Sequence, residues 1–552
     1  MALSESTVLE RYGVPSLQQM VKQRSGESKS QSKAALVSQL AADLFQADRI
    51  EKAVADLAPV ERRLLDQLAL LGGDAPTGLL YRDLLGEGLI AEPKRDGPFR
   101  SPRDQRGSPW TRGSKRFADV IARLGVLGLA FSESNLYGAA AEIGAPGWRI
   151  YIPEGILAHL PRPEIPPVVS AEPPEVVTGD VSFFPRDVYR LFGFAESAPL
   201  TLTVRGQIVK RSLVPIDGAL RVSENAAAAR SEEDLPRFSL LRALAEDLGL
   251  LVVRNGTLVA DEEKAGAFLE RGPGERLAAL YRSYRDTARW CEFGFPGGPG
   301  IARRNAAGRD APPPLIAARG RVIAELSGLP GGAWIPLAHL IDRLKRTAYE
   351  FLIPRPRIAW NEDYYYDLNP YAGENPLGWS FNGVREATGW EIVEGWLIRQ
   401  VVGALHWLGL LNLGIRDGRP AEFRITAIGA QLLRGESPAI TVPPPRVVVQ
   451  PNYQIFAFEP IDEAVLHLLD QFAERVRTES AVEYRLSEAA VYRARQRGLS
   501  AGEILDRLER LSAVPLPQNV RRTVEEWGER HERIVVRRGV GLLRALDKTT
   551  LD

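Results

Sequence analysis

The chain has 552 residues, 45% hydrophobic and 25% charged, with 70 basic and 70 acidic side chains and a formal net charge of zero. That composition is ordinary for globular domains with ample core. The zero net charge excludes a global polycation, so any nucleic-acid binding must come from local patches. A single cysteine, Cys291, excludes an internal disulfide framework and a cysteine-based zinc cluster. No apolar run reaches the roughly 18 residues that span a bilayer. The N-terminus, MALSESTVLERYGVP, lacks a basic segment followed by an apolar one. These features predict a cytoplasmic, bacterial-type protein with no membrane partner. Ten of the 70 basic residues are lysine; arginine suits bidentate phosphate contacts, although codon bias alone also produces such an excess.

At about 150 residues per domain, the length predicts three to five domains. The expected fold class is α+β, mostly helical. Residues 1–90 read as a helical region. Leu17, Met20 and Val21 belong to a first short helix, and Ala35, Leu36, Leu40 and Leu44 to a second, around a polar hinge at Ser25 to Ser32. The order resembles a SAP-type helix–hinge–helix, a small DNA-binding motif, but the hinge departs from that motif's glycine pattern. An ordinary helical hairpin is the plainer reading.

Within residues 91–160, the stretch PKRDGPFRSPRDQRGSPWTRGSKRF reads as a basic loop. Arg95, Arg100, Arg103, Arg112, Lys115 and Arg116 are candidate phosphate contacts, with Phe99 and Trp110 able to stack bases. A solvated linker fits equally well.

One local pattern recurs three times, in 91–160, 175–292 and 315–440. A helix ends in Leu-Gly and an apolar hairpin follows: Leu124-Gly125, Leu248-Gly249 and Leu408-Gly409. Asn255-Gly256 and Asp417-Gly418 sit between apolar runs, the strongest short hairpin signal. Helix followed by a two-stranded wing predicts tandem winged helices, whose second helix enters the major groove and whose wing touches the backbone. The exposed face of the second is expected to carry Arg237 and Arg242. The third offers Arg399 and, on its wing, Arg416 and Arg419. The faces are mixed in charge, so scaffolding competes with DNA contact. The aromatics between 320 and 390, including Trp334, Trp360, Trp379, Trp390 and Tyr364-Tyr365-Tyr366, suggest a buried layer or a partner surface.

The last segment, 445–540, reads as two strands (Val447-Val448-Val449 and Ile455 to Phe458), four helices and a closing strand at Ile534-Val535-Val536. Ser500 and Glu503 form a capping box before Ile504, Leu505, Leu508 and Leu511. The blocks VVVQPNYQIFAF, YRLSEAAVYRARQRGLSAGEILDRLERLS and LPQNVRRTVEEWGERHERIVVRR resemble the N-terminal domain of the XPB helicase family, which also occurs in bacterial helicase-associated proteins. The resemblance covers roughly the last fifth of the chain. It implies a helper domain that engages DNA or a partner subunit, with Arg493, Arg495 and Arg497 as candidates for that face. Tandem winged helices with such a tail are also similar to the TFIIH core subunit that docks on XPB, which implies a helicase or nuclease partner.

A motor is not expected. No G-x-x-x-x-G-K-[ST] phosphate cradle and no DEAD or DEAH box occurs in the chain. There is no H-E-x-x-H. The best acidic cluster, Asn361-Glu362-Asp363 with Asp367, is a weak candidate for a metal-dependent nuclease. The five histidines mostly lie in or beside apolar helical patterns, as structural histidines do. No cofactor is implied. The expected function is a non-catalytic DNA-binding or helicase-accessory protein in DNA repair or processing. The alternatives are a winged-helix transcriptional regulator and a protein-docking scaffold without DNA binding.

Overall fold

The computed structural model describes residues 5–25, 32–90, 116–132, 149–161, 163–303, 310–355, 370–371, 375–478 and 481–532. The basic stretch 91–115, the SAP-like hinge 26–31, the acidic and aromatic run 356–369 and the expected strand at Ile534 to Val536 lie outside them. The chain is α+β, with many helices and small antiparallel sheets. It divides into two compact units, each made of two chain segments: 1–179 with 285–434, and 180–284 with 435–552.

In the first unit, helices Val14–Ser25 and Lys33–Leu44 pack together and share one apolar core with residues up to Leu160. Arg24 Nε donates to Leu127 O at 3.1 Å, so the N-terminal hairpin is anchored on the helix end that follows it. The same core holds helix Pro59–Leu70, strand Asp74–Pro76, helices Thr77–Gly86 and Phe117–Val126, and strands Phe131–Ser132 and Arg149–Tyr151. Asp74–Pro76 pairs with Arg149–Tyr151, which also pairs with Phe131–Ser132.

This order, helix, strand, helix, helix and then hairpin, with the early strand closing on the hairpin, occurs again in the same unit. There it runs through Pro313–Ser327, Trp334–Pro336, Leu337–Thr347, Glu394–Trp407, Leu411–Arg416 and Arg419–Ile425. Glu175–Val177 extends that sheet on its other edge. Trp334, Trp379 and Trp390 are buried, so these aromatics are core. Arg319 and Glu292, both fully buried, pair at 2.5 Å. Nearby in sequence, Tyr371 donates to Glu394 at 2.9 Å, and Arg355 donates to the Tyr371 hydroxyl at 2.8 Å.

The second unit holds a third copy of the order. Its elements are Phe183–Ser197, Leu200–Thr201, Lys210–Ala219, Pro236–Asp247, Leu251–Arg254 and Thr257–Ala260, with Leu200–Thr201 paired to Thr257–Ala260. In the second and third copies the Leu-Gly signal is a helix stop; in the first the helix runs past Leu124-Gly125 to Val126, and the stop is Gly128. Gly128, Gly249 and Gly409 have φ of 69°, 72° and 78°. The residue after each donates back to the helix at 2.9 Å: Leu129 to Leu124, Leu250 to Ala245 and Leu410 to Leu405. A left-handed residue at this place lets the chain reverse while still satisfying the last carbonyls.

The remainder of the second unit is a four-stranded antiparallel sheet in the order Arg446–Val449, Gln454–Phe458, Ala481–Arg485, Glu474–Thr478. It packs with helices Glu463–Asp470, Glu488–Gln496, Ala501–Leu511 and Gln518–Glu532. The strand Glu474–Thr478 and its hairpin with Ala481–Arg485, set between the first and second helices, correct the expected plan of two strands, four helices and a closing strand. Three of its five residues are charged, as edge strands often are, and no apolar alternation announces it. The capping box is present: Glu503 N donates to Ser500 Oγ at 3.2 Å, and Ser500 N to Glu503 Oε2 at 2.7 Å.

Two buried arginines join the segments of this unit. Arg186 bonds Glu463 at 2.7 Å and Glu459 at 2.8 Å. Arg276 reaches Asp462 at 2.5 Å and Glu463 at 3.3 Å.

Candidate nucleic-acid interface

The third copy of the repeated order ends in two adjacent turns. Strand Leu251–Arg254 reverses through Asn255 and Gly256, whose φ values of 49° and 74° fit a tight hairpin. Beside it, Leu202 bridges Ile208 around the turn Thr203 to Gly206, and Leu202 N donates to Gly256 O at 3.0 Å. Both turns therefore project from the same end of one small sheet. Helix Lys210–Ala219 begins directly after the second.

This end is cationic. Arg205 and Arg254 sit on the turns and Arg211 on the first turn of the helix, all exposed. Among the described residues their side chains form no hydrogen bond or ion pair. Lys210 Nζ donates to Ala229 O at 2.8 Å. No acidic residue occurs between Glu196 and Asp217 or between Asp247 and Asp261. Val204, fully exposed, and Val253, 53% exposed, stand between the cations. Exposed guanidinium groups without an ion-pair partner are suited to phosphate. The single sequence signal for this site was the acid-free run around Asn255-Gly256, with Arg254 immediately before it.

The helix expected to offer Arg237 and Arg242 to solvent, Pro236–Asp247, turns both inward. Arg237 bonds Asp187 at 2.8 Å, and Arg242 bonds Glu232 at 2.8 Å and Glu246 at 2.6 Å. Burial works against the charge of Arg242, but Glu232 and Glu246 outweigh it and raise its pKa. Both guanidinium groups are committed within the fold.

The other named residues are dispersed. Arg399 is exposed, and Arg416 and Arg419 flank the Asp417-Gly418 turn. Arg416 pairs back on Glu422. Arg116, half-buried, precedes helix Phe117–Val126. Arg95, Arg100, Arg103, Arg112 and Lys115 lie outside the described residues, as do Asn361 to Asp367. Elsewhere among the described residues no group of three His, Cys, Asp or Glu could hold a metal ion. No described helix is long and apolar enough to cross a membrane. His406 bonds Leu411 O at 2.8 Å, and His467 lies edge-on to Phe192 and Tyr189, as structural histidines do.

Residues 447–552 match the family described as the helicase conserved C-terminal domain. No curated protein matches the chain. Within this helicase C-terminal domain, the arginines of helix Glu488–Gln496 and its cap spread around the helix. Arg493 pairs with Glu474 at 2.7 Å. Arg495 donates to Gly528 O at 2.7 Å, holding the last described helix. Arg497, half-exposed, stands 3.7 Å from both Glu196 and Glu262, in the preceding segment of the same unit. Each has a partner within the second unit, and the three do not share one face of the helix.

Proposed function

We propose that the chain is a non-catalytic DNA-binding, helicase-accessory protein of DNA repair or processing. In this reading the three helix–strand–helix–helix–hairpin copies are winged helices, and the helicase C-terminal domain is of the XPB N-terminal kind. The observation that carries the reading is the cationic end formed by the exposed Arg205, Arg211 and Arg254, built into the same compact unit as the helicase C-terminal domain. Such an end contacts the phosphate backbone without reading sequence. The inward commitment of Arg237 and Arg242 argues against a regulator that reads bases with that helix. A partner helicase or nuclease supplies the motor or the cutting activity. The single, buried cysteine is at home in a reducing cytoplasm.

The test is anisotropy binding of the full chain to duplex DNA across a salt series. Replacing Arg205, Arg211 and Arg254 together with Gln lowers the slope of log affinity against log salt by about 2–3, roughly one per lost phosphate contact. The Lys triple variant keeps the slope. Absence of wild-type binding at low salt removes the DNA reading and leaves a protein-docking scaffold. A separate variant neutralising Arg112, Lys115 and Arg116 tests the 93–117 stretch.

A further inference from the structure

The sheet of the helicase C-terminal domain has two unlike faces, set by strand register. Val447, Val449, Ile455, Ala457, Val482 and Tyr484 point to one side and are buried. The intervening residues point to the other side and form three cross-strand rows. Arg446 pairs with Phe458, and Phe458 with Ala481. Val448 pairs with Phe456, Phe456 with Glu483, and Glu483 with Arg477. Gln454 pairs with Arg485, and Arg485 with Glu474.

Two aromatic rings therefore lie on the outward side of the second strand, where a strand with one solvated face ordinarily carries polar residues. Phe456 and Phe458 are near-parallel, at 26° with centroids 6.4 Å apart, and Phe458 is 37% exposed. Arg446 stands over Phe458 at 5.9 Å, and Arg485 is exposed on the far row. The two carboxylates on this face are already engaged: Glu483 accepts from Gln454 at 2.7 Å, and Glu474 from Arg493 at 2.7 Å. What remains is a pair of rings bordered by guanidinium groups.

We propose that this face is a stacking platform for single-stranded nucleic acid, with two bases on Phe456 and Phe458 and the backbone along Arg446 and Arg485. Aromatic faces accept any base, and flanking cations hold the phosphates, so the platform is sequence-tolerant. The site lies in the same compact unit as the Arg205, Arg211 and Arg254 end. One unit then engages a single strand and a duplex through chemically different surfaces, which suits a junction between them. This inference rests on the DNA-binding reading above.

The experiment measures anisotropy of labelled oligothymidylate and of a blunt duplex with the full chain. Phe456→Ala with Phe458→Ala weakens oligothymidylate binding roughly 30-fold or more, as expected for the loss of two stacks. It leaves duplex binding unchanged. Phe456→Tyr with Phe458→Tyr restores the single-strand affinity. Ultraviolet crosslinking of oligothymidylate places the adduct on the peptide containing Phe456 and Phe458. Duplex binding without single-strand binding by the wild type overturns the platform, leaves the DNA reading intact, and assigns the face to a protein occupant. Unchanged oligothymidylate affinity in the Ala variant, or loss of both affinities together, also overturns it. No wild-type binding to either DNA overturns both.

Discussion

A buried carboxylate in the first unit gives the protein a dependence on pH. Glu394 is fully buried beside Arg355 and the Tyr371 hydroxyl. Burial pushes its pKa up to about 7 from an ordinary 4.5, with Arg355 and Tyr371 opposing the rise. The folded state therefore holds a proton through a window in which the unfolded chain has released it, so stability falls as pH rises from about 4.5 to 7. Melting temperatures of wild type and Glu394→Gln across that window should converge toward low pH and separate, in favour of the variant, as pH rises. A constant difference would assign the pH dependence elsewhere. At this scale the sequence was only partly legible. Asn255-Gly256 announced its own hairpin because the dipeptide tolerates positive φ. Arg237 and Arg242 did not announce their burial, because polar helix residues are placed outward by default. Their partners, Asp187 and Glu232, lie 50 and 10 residues away.

At the scale of elements, the repeated helix stop is the feature that makes three copies of one order. Gly128 shows what it demands. Its φ of 69° is left-handed, and a Cβ built there would lie 2.5 Å from Leu44 Cδ2. Gly128→Ala should cost about 1–2 kcal/mol from backbone strain alone, and more from the overlap with Leu44. Urea unfolding with an unchanged m-value would confirm that the native state lost stability. A cost near zero would mean that the hairpin leaves the helix by another route. In the first copy Leu124-Gly125 offered the same signal three residues before the true stop at Gly128. Leu248-Gly249 and Leu408-Gly409 were legible as stops because a helix end and a positive φ are both local. The strand Glu474–Thr478 was not, since its pairing with Ala481–Arg485 satisfies the backbone while its charged side chains carry no periodic signal.

At the scale of the whole molecule, the second unit is assembled from two chain segments, 180–284 and 435–552. Arg186 is the joint, and its removal leaves the Glu459 and Glu463 carboxylates with less to compensate their burial. Breaking such a pair typically costs about 3–5 kcal/mol. Arg186→Ala should lower the urea midpoint of the second unit and make both of its segments protease-sensitive together. Sensitivity confined to one segment would show that they fold independently. This closure was hidden from the sequence, because nothing local in Phe183–Ser197 names a partner more than 270 residues later. The helicase relationship of the last segment was legible because its blocks are contiguous.

The chain path also sets an order of events during synthesis. Helix Phe183–Ser197 packs Tyr189 and Phe192 against His467, a residue that the ribosome adds only after the intervening 285–434 stretch has been made. At the usual 5–20 residues per second, those ~150 residues take roughly 8–30 s. For that interval the half-built unit presents an apolar helix face and two uncompensated arginines, Arg186 and Arg276. The nascent protein is most in need of a chaperone while the first unit is being finished, not at the end of translation.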